Sequence, residues 1–220
     1  MKTIQTYRLF LSALLLCLVG STPLTARNIG QFFVQMPSSV LPLFSDVNRA
    51  DCIDFIASHM EAKITNRLNG QSVMDTLTTN YLHIQVTKAS TFAMKMLANK
   101  KDTLLVVVHT VKAPEADSEI SVYNQHWQKL KTAKYVNVPV LKDFLKAPVG
   151  NEITPENKAS IQTFEHLQQL FTMLLMQAEI SPADNDITWT CTTPETFSED
   201  DQKKLQPYWR GQIVRSIIAY

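Results

Sequence analysis

The sequence predicts an α+β fold in which an antiparallel β-meander is packed by helices from both ends of the chain. Residues 81–130 read as successive strands joined by short polar turns, a pattern typical of antiparallel neighbours. Within this stretch residues 104–108 are all apolar and rich in valine, as expected for a central strand buried on both faces. Apolar residues at helical spacing occur near residues 46–60 and again near residues 154–171.

The first two predicted strands form a hairpin. Leu82, Ile84 and Val86 alternate with more polar residues over residues 81–87, and residues 91–97 repeat the alternation. The three residues between these runs leave room only for a tight connection.

The meander is predicted to continue to about residue 130. After the central strand comes a turn at Pro114, then alternation through Ile120 and Val122, then a short edge at Trp127 and Leu130. C-terminal strands are expected to complete the same sheet, and they are predicted at residues 171–180, 186–193 and 212–220.

The first 26 residues have the parts of a secretory signal. Lys2 and Arg8 precede an apolar run at residues 9–19, and small residues end at Ala26. The run is shorter than the ~20 residues of a transmembrane helix. Cys17 follows three leucines rather than the small residue of a lipoprotein signal, so lipidation is not predicted. We expect export to the periplasm, to the outer membrane or to the cell exterior.

Charge and length limit the classes of function. Of the 21 Lys+Arg and 20 Asp+Glu residues, two basic ones lie in residues 1–26, so the remaining chain has 19 basic and 20 acidic residues. The basic surface that drives nucleic-acid binding is therefore not expected. Residues 27–220 suit a single domain, with a possible break near residues 147–154, where Pro148 and Gly150 occur.

Residues 27–44 are apolar and contain Pro37 and Pro42, which prevent a long helix. We predict a helical turn near residues 31–35, followed by extended chain. The apolar row is a candidate partner-binding patch, although we favour packing on the protein's own domain. It consists of Phe32, Phe33, Met36, Val40, Leu41, Leu43 and Phe44.

The next predicted helix is capped by Ser45 or Asp46 and runs to about Met60. Its buried side is predicted at Ala50, Ile53, Ile56 or Ala57, and Met60. Asp51 and Asp54 lie one turn apart on its polar side. Paired carboxylates can hold a metal or perform acid–base chemistry, but we favour a solvated helix face. Farther along the chain, Thr154-Pro155 and Ser198 with Asp201 indicate two further helix starts.

Three stretches, MPSSVLPLF, NRADCIDF and AKITNRLNGQSVMDTLTTNYLHIQVTKASTFAMKML, occur in an order that resembles an uncharacterised secreted family of Bacteroides-type bacteria, domain-of-unknown-function family 3256. The similarity continues through DTLLVVVHTVKAPEADSEISVYNQHWQKL toward the C-terminus. Members of that family often carry cysteines on either side of the Ala-Pro turn, where this chain has Lys112 and Ala116. The resemblance implies export and the fold but no mechanism, and the departure at Lys112 and Ala116 argues against a role for a thiol pair at this turn.

Sequence motifs for known chemistry are missing. The five glycines are never clustered, which excludes a phosphate-cradling loop or a dinucleotide fingerprint. The five histidines show no metal-ligand spacing, so we predict neither a metal site nor a cofactor. Asp184 and Asp186 lie in a turn that could touch Ca²⁺, but the EF-hand pattern is absent. His83 and His109 are interpreted as sheet residues rather than a catalytic pair.

Two cysteines remain after the signal, and their state is left open by the sequence. Cys191 alternates with Trp189 and Ile187 on the predicted core face, and Cys52 lies at the edge of the apolar stripe of its helix. An oxidising periplasm would permit a Cys52–Cys191 disulfide. We favour two separate buried thiols, since nothing in the sequence places that helix over that strand. Neither thiol has a local context that would activate it as a nucleophile.

Two classes of function stay open, and no catalytic residue is assigned. We favour a non-catalytic module that binds an unknown protein or envelope component through the sheet or through the proline-containing lead segment. The alternative is a hydrolase or another enzyme whose site is assembled from residues distant in sequence. A deep pocket with convergent polar groups is typical of an enzyme, whereas an exposed apolar stripe on a flat sheet is typical of a binding module.

Overall fold

The computed structural model describes residues 27–99, 102–148 and 158–219. The α-helices, in chain order, are α1 (Ile29–Val34), α2 (Asp46–Ala57), α3 (Leu141–Phe144), α4 (Lys158–Leu170) and α5 (Glu199–Leu205). The first seven strands are β1 (Ala62–Thr65), β2 (Gln71–Leu77), β3 (Tyr81–Thr87), β4 (Ser90–Asn99), β5 (Asp102–Lys112), β6 (Ala116–Asn124) and β7 (Lys129–Leu130). The last three are β8 (Met176–Ile180), β9 (Asp186–Cys191) and β10 (Gln212–Ser216). The longest described helix has 13 residues, and no helix in the described ranges is long and apolar enough to cross a membrane.

Strands β1–β7 form one antiparallel meander, the first sheet, in which every strand pairs with its neighbour in the sequence. This confirms the predicted fold class, and the hairpin joins Thr87 to Ser90 as expected. The first sheet begins earlier in the chain than predicted, because β1 and β2 precede the first predicted strand, at residues 81–87. The Asn69-Gly70 turn lies between these two strands, and Asn69 has a φ of 58°, which this residue type tolerates.

The sequence did not indicate β1 and β2 because neither carries a clear alternation. β1 has only four residues, and the register of β2 shifts between Met74 and Thr76. A bulge of this kind breaks the period of two on which the prediction of a strand depends.

Residues 104–108 of β5 are the most buried part of the first sheet, each being 2% exposed or less. Successive side chains face opposite layers. Leu105 and Val107 contact the core beneath the N-terminal helices, whereas Leu104, Val106 and Val108 contact the core beneath strands β8–β10. The prediction of a central strand buried on both faces is confirmed.

Helices α1 and α2 cover one face of the first sheet. The Ser45 side chain accepts a hydrogen bond from the Asn48 N–H (3.1 Å) and caps α2, as predicted. The apolar row of the lead segment packs on the protein's own domain, since Phe32, Phe33 and Phe44 are at most 1% exposed. The interpretation of this row as the protein's own core is therefore confirmed.

The predicted end and buried side of α2 were partly wrong. The helix ends at Ala57, and Met60 is 58% exposed. Its buried residues are Arg49 and Cys52. Arg49 can be buried because its guanidinium donates to the Phe44 carbonyl (3.1 Å) and to the Asp46 carboxylate (2.6 Å).

The C-terminal strands do not complete the first sheet, and this part of the prediction was wrong. They form a second, three-stranded antiparallel sheet in the order β10-β9-β8. The alternation of Ile187, Trp189 and Cys191 was identified correctly, since all three are buried. The strands pack on the face of the first sheet. The prediction failed because alternation reveals one buried side of a strand but not whether that side faces a stacked sheet or belongs to a strand paired in the same sheet.

Helices α4 and α5 meet at a third, smaller core of Leu145, Leu167 and Leu205. Trp209 joins this third core to the core beneath strands β8–β10 by stacking on Phe144 and Phe171, with ring centroids 5.7 Å apart in each pair. The predicted strand at residues 171–180 begins only at Met176. The predicted break near residues 147–154 and the Thr154-Pro155 helix start lie largely or wholly outside the described residues.

Candidate functional site

A groove of about 410 Å³ lies between the two sheets, on the face of the first sheet opposite to α1 and α2. We call it the inter-sheet groove. Strands β2–β5 provide its first wall, with Thr76, Tyr81, His83, Thr91, Ala93, Val108, Thr110 and Lys112. Strand β8 and the turn after it provide the second wall, with Gln177, Ala178, Glu179, Ile180 and Pro182. Ala93 and Val108 supply an apolar floor between polar side chains, the composition that ligand sites usually have.

The β2 bulge brings a carboxylate to a histidine at one side of the groove. Asp75 lies at the register shift of β2, and both of its carboxylate oxygens are 2.8 Å from Nδ1 of His83. Thr76 Oγ1 also donates to Asp75, at 2.9 Å. With Nδ1 bonded to the carboxylate, Nε2 is the ring nitrogen left for a ligand, because no described residue hydrogen-bonds it.

Tyr81 lies two residues before His83 on the same side of β3, and it is 8% exposed. Burial raises the pKa of its phenol, and the Asp75 and Glu179 carboxylates raise it further. Within the described residues the Tyr81 hydroxyl has no hydrogen-bond partner. The phenol therefore stays protonated and available at neutral pH, both as a donor and as an acceptor.

The second wall is attached to the first sheet by side chains of β6. The Ala178 N–H donates to Ser118 Oγ at 2.9 Å, and the Met176 N–H donates to an Asp117 carboxylate oxygen at 3.1 Å. On the groove side Gln177 Nε2 donates to Glu179 Oε1 at 2.7 Å. These bonds hold β8 at a fixed height above the floor of the groove.

Lys95 supports the same wall from within the core. It is 1% exposed, and its ammonium donates to the carbonyls of Ser181 (2.7 Å), Pro182 (3.1 Å) and Asp184. Burial lowers the pKa of Lys95, while Asp184 acts in the opposite direction. Three carbonyls match the three protons of the ammonium, so this buried charge is satisfied by the backbone of the turn after β8.

His83 and His109 are not close to each other, in agreement with their interpretation as sheet residues. His83 pairs across strands with Ala93 and faces the groove, whereas His109 pairs with Phe92 on the helix-covered face. The His109 and Phe92 ring centroids are 4.9 Å apart in an edge-to-face contact. Burial lowers the pKa of His109, partly offset by a hydrogen bond to the Val40 backbone and by Glu119.

We expect His109 to make the protein less stable as the pH falls. The unfolded chain takes up a proton at the ordinary pKa of 6.5, whereas folded His109 resists protonation to a lower pH. The contribution of neutral His109 to the free energy of unfolding is therefore fully present above the pKa of the unfolded chain. It is lost as the pH falls from there through the pKa of the folded protein. Urea unfolding from pH 7.5 to pH 5 should show a smaller loss for His109→Gln, which does not titrate, than for wild type. His126→Gln, at an exposed site, is the matched control and should follow wild type.

Cys52 and Cys191 are both free thiols, and they lie in different cores. Cys52 belongs to the core beneath α1 and α2, whereas Cys191 belongs to the core beneath the second sheet, with the first sheet between them. Burial raises the pKa of Cys52 to about 12, and it raises the pKa of Cys191 as well. Both groups are thus held as thiols, which are poor nucleophiles.

We expect the chain without residues 1–26 to titrate as two thiols when denatured without reductant. In the native state both should react slowly with Ellman's reagent, because both side chains are at most 5% exposed. Loss of both thiols in the denatured sample, restored by a reductant, would instead establish the Cys52–Cys191 disulfide.

The other candidate acids lie on α2 and at the turn that leads into β9. Asp51 is half-buried and Asp54 is exposed, so their place on the polar side of α2 agrees with a solvated face. In the turn before β9 the Asp186 N–H donates to the Asp184 carboxylate at 3.0 Å, and Ser216 donates to Asp186. Among residues 27–99, 102–148 and 158–219, no group of three or more His, Cys, Asp or Glu side chains could hold a metal ion.

The groove residues escaped sequence analysis because they come from five strands. Their local signal was weak: polar side chains at alternate positions of strands that were identified for their apolar residues. Thr91 and Thr110 show this pattern. Thr91 precedes Phe92 and Thr110 follows His109, and both of these neighbours face the helix layer. No local pattern in the sequence shows how β8 stacks on the first sheet, so none places Glu179 in the same groove as Tyr81.

These observations define the class of protein: an α+β fold of three layers, with helices α1 and α2 on one face of the first sheet and the second sheet, with the inter-sheet groove, on the other. The family model described as "Protein of unknown function (DUF3256)" matches residues 21–216, so the chain belongs to that family. A solved domain of an uncharacterized protein from Porphyromonas gingivalis W83 has a similar structure, with a TM-score of 0.72 and 22% sequence identity. The match covers 89% of this chain and 99% of that one, and it shows the common fold. No curated protein matches the chain.

Proposed function

We propose that this protein is an exported, non-catalytic binding module whose ligand occupies the inter-sheet groove. The observation that carries the proposal is the convergence of Tyr81, His83 and Glu179 around an apolar floor of Ala93 and Val108. Apolar area supplies affinity in such a site, and a few fixed polar groups supply orientation. The bonds from β6 and Lys95 hold both walls in place before a ligand arrives, which reduces the entropy cost of binding.

The arrangement supports binding better than nucleophilic catalysis. The Thr76 hydroxyl, which contacts the His83–Asp75 pair, donates to Asp75 rather than to His83, and Thr110 bonds Ser118 at 2.8 Å. Both described thiols are buried away from the groove. A second candidate, acid–base catalysis, is favoured by one observation, the 2.8 Å contact between His83 and Asp75, which orients the imidazole as in many hydrolases.

The test is a ligand screen read by protein NMR. Polar compounds of several classes (amines, short peptides, oligosaccharides and carboxylates) are added to the ¹⁵N-labelled protein, and amide shifts at residues 81–83, 91–93 and 177–180 are followed. Ala93→Phe places a ring on the floor of the groove and should weaken binding at least tenfold. Ala57→Phe, at an exposed helix end, should leave it unchanged.

Shifts that map elsewhere, or binding that survives Ala93→Phe in a folded variant, would contradict the proposal. Turnover of a bound compound that is lost in His83→Gln would establish the catalytic candidate instead.

Export is part of the same proposal. It is supported by the signal-like composition of residues 1–26, with Lys2 and Arg8 before the apolar run. Mass spectrometry of the native protein should find an N-terminus near Arg27. An intact Met1 in the cytoplasmic fraction would contradict export.

A further inference from the structure

We propose that the Tyr81 end of the inter-sheet groove binds a primary ammonium group carried by an elongated ligand, such as a peptide amino terminus or a lysine side chain. The inference rests on the proposed function, because it names the ligand class of the same groove.

The first observation is an unpartnered phenol. Tyr81 lines the groove and is 8% exposed, yet its hydroxyl has no hydrogen-bond partner among the described residues. The hydroxyl oxygen can accept from a ligand donor, and the ring face attracts a cation through its quadrupole. The side chain is thus held by the core, while its hydroxyl opens into the groove and is left for a ligand.

The second observation is negative charge at this end of the groove without a basic partner. Glu179 lines the groove from the second sheet, and Asp75 of the first sheet bonds the groove residue His83 at 2.8 Å. Both carboxylates also raise the pKa of Tyr81. In the described part of the chain neither carboxylate forms an ion pair with a lysine or arginine. Asp75 contacts His83, and Glu179 receives a hydrogen bond from the neutral amide of Gln177.

The lysine nearest in register does not supply the missing charge. Lys95 is the cross-strand partner of Tyr81, but its three protons are bonded to the carbonyls of the turn after β8. A ligand cation would therefore add a favourable interaction that the protein does not itself provide.

An organic ammonium fits this end of the groove better than a metal ion. Calcium takes six to eight oxygen ligands at about 2.3–2.6 Å, whereas no group of three or more acidic, histidine or cysteine side chains is close enough for a metal in the described ranges. One carboxylate from each sheet, near a phenol but not gathered into a metal-binding group, suits a larger cation with three directional donors.

The other end of the groove indicates that the ligand is elongated and carries one cation. Tyr81, Lys95 and Val106 lie in one cross-strand row, and Lys112 follows Val106 by six residues on β5. At ~3.4 Å per residue these ends of the groove are roughly 20 Å apart along the strand. An exposed lysine at the far end disfavours a polyamine and favours a chain that ends in a neutral or anionic group.

The experiment compares a pentapeptide of alternating alanine and glycine with its N-acetylated form, by calorimetry and by amide shifts of the ¹⁵N-labelled protein. We expect acetylation to weaken binding at least tenfold. A third peptide, acetylated but containing one lysine, identifies the source of the ammonium: recovered affinity assigns a lysine side chain, and unrecovered affinity assigns the amino terminus.

Variants locate the ammonium. Glu179→Gln and Asp75→Asn should each weaken binding of the free-amine peptide about fivefold or more, with no effect on the acetylated one. Glu179 is exposed, so its variant tests the contact with little risk to folding. Glu165→Gln, on the exposed side of α4, is the matched control and should bind as wild type.

Equal affinity for the free and acetylated peptides, or full affinity in Glu179→Gln, would overturn the ammonium inference. If both peptides fail to bind while another class of compound shifts the groove amides, the inference fails and the proposed function stands. If no compound shifts them, both fail.

Discussion

Replacing Val107 by aspartate is expected to abolish soluble, cooperatively folded protein. Val107 is 1% exposed in the central strand, between Met94 and Ser121 of the adjacent strands, and it contacts the core beneath α1 and α2. A buried charge without a partner costs several kcal/mol, which is comparable to the roughly 5–15 kcal/mol that stabilises a domain. The measurements are the soluble fraction after expression and, for any soluble protein, urea unfolding followed by circular dichroism.

Val214→Asp is the matched control for this variant. Val214 also lies in a strand, opposite Thr188, but it is 54% exposed, so its charge stays in water. We expect a change in unfolding free energy within about 0.5 kcal/mol. A soluble Val107→Asp protein with the same cooperative transition as this control would show that Val107 does not lie in the core.

Replacing Lys95 by methionine is expected to destabilise the protein by roughly 3 kcal/mol, because the variant removes the charged donor that three backbone carbonyl groups share. The affected carbonyls belong to Ser181, Pro182 and Asp184, so the turn after β8 should loosen first. Hydrogen exchange should therefore rise at residues 181–186 more than at the central strand β5. Chemical unfolding measures the total loss of free energy.

Lys63→Met makes the same substitution at an exposed position of the edge strand β1 and serves as the control. It should change neither the unfolding free energy by more than about 0.5 kcal/mol nor the exchange of residues 181–186. If Lys95→Met were as stable as this control, the three carbonyl contacts would have no net energetic value.

Local signals accounted for the elements that were predicted correctly. The continuous apolar run at residues 104–108 predicted the central strand because only a strand covered on both sides uses apolar residues at every position. Ser45 predicted the start of α2 because capping depends on residues within one turn.

Features that depend on distant residues were not predictable in the same way. Whether β9 pairs with the first sheet or stacks on it depends on where the chain travels after β7, which no local pattern encodes. Likewise, Lys95 follows the alternation of a surface residue, and only its three carbonyl partners, 86 to 89 residues away, explain its burial. The groove is of the same kind: Asp75 meets His83 within the first sheet, but Glu179 joins the groove only when the second sheet packs on the first.

The bonds from Asp117 and Ser118 to the backbone of β8 also bear on how the protein avoids self-association. The outer edge of a sheet presents unpaired N–H groups that can template pairing with a second molecule, the first step toward aggregation. Here the donors of Met176 and Ala178 are already taken by side chains of β6. A foreign strand would have to displace two intramolecular bonds before it could extend the second sheet at this edge, so the contact that attaches the second sheet also protects it from polymerisation.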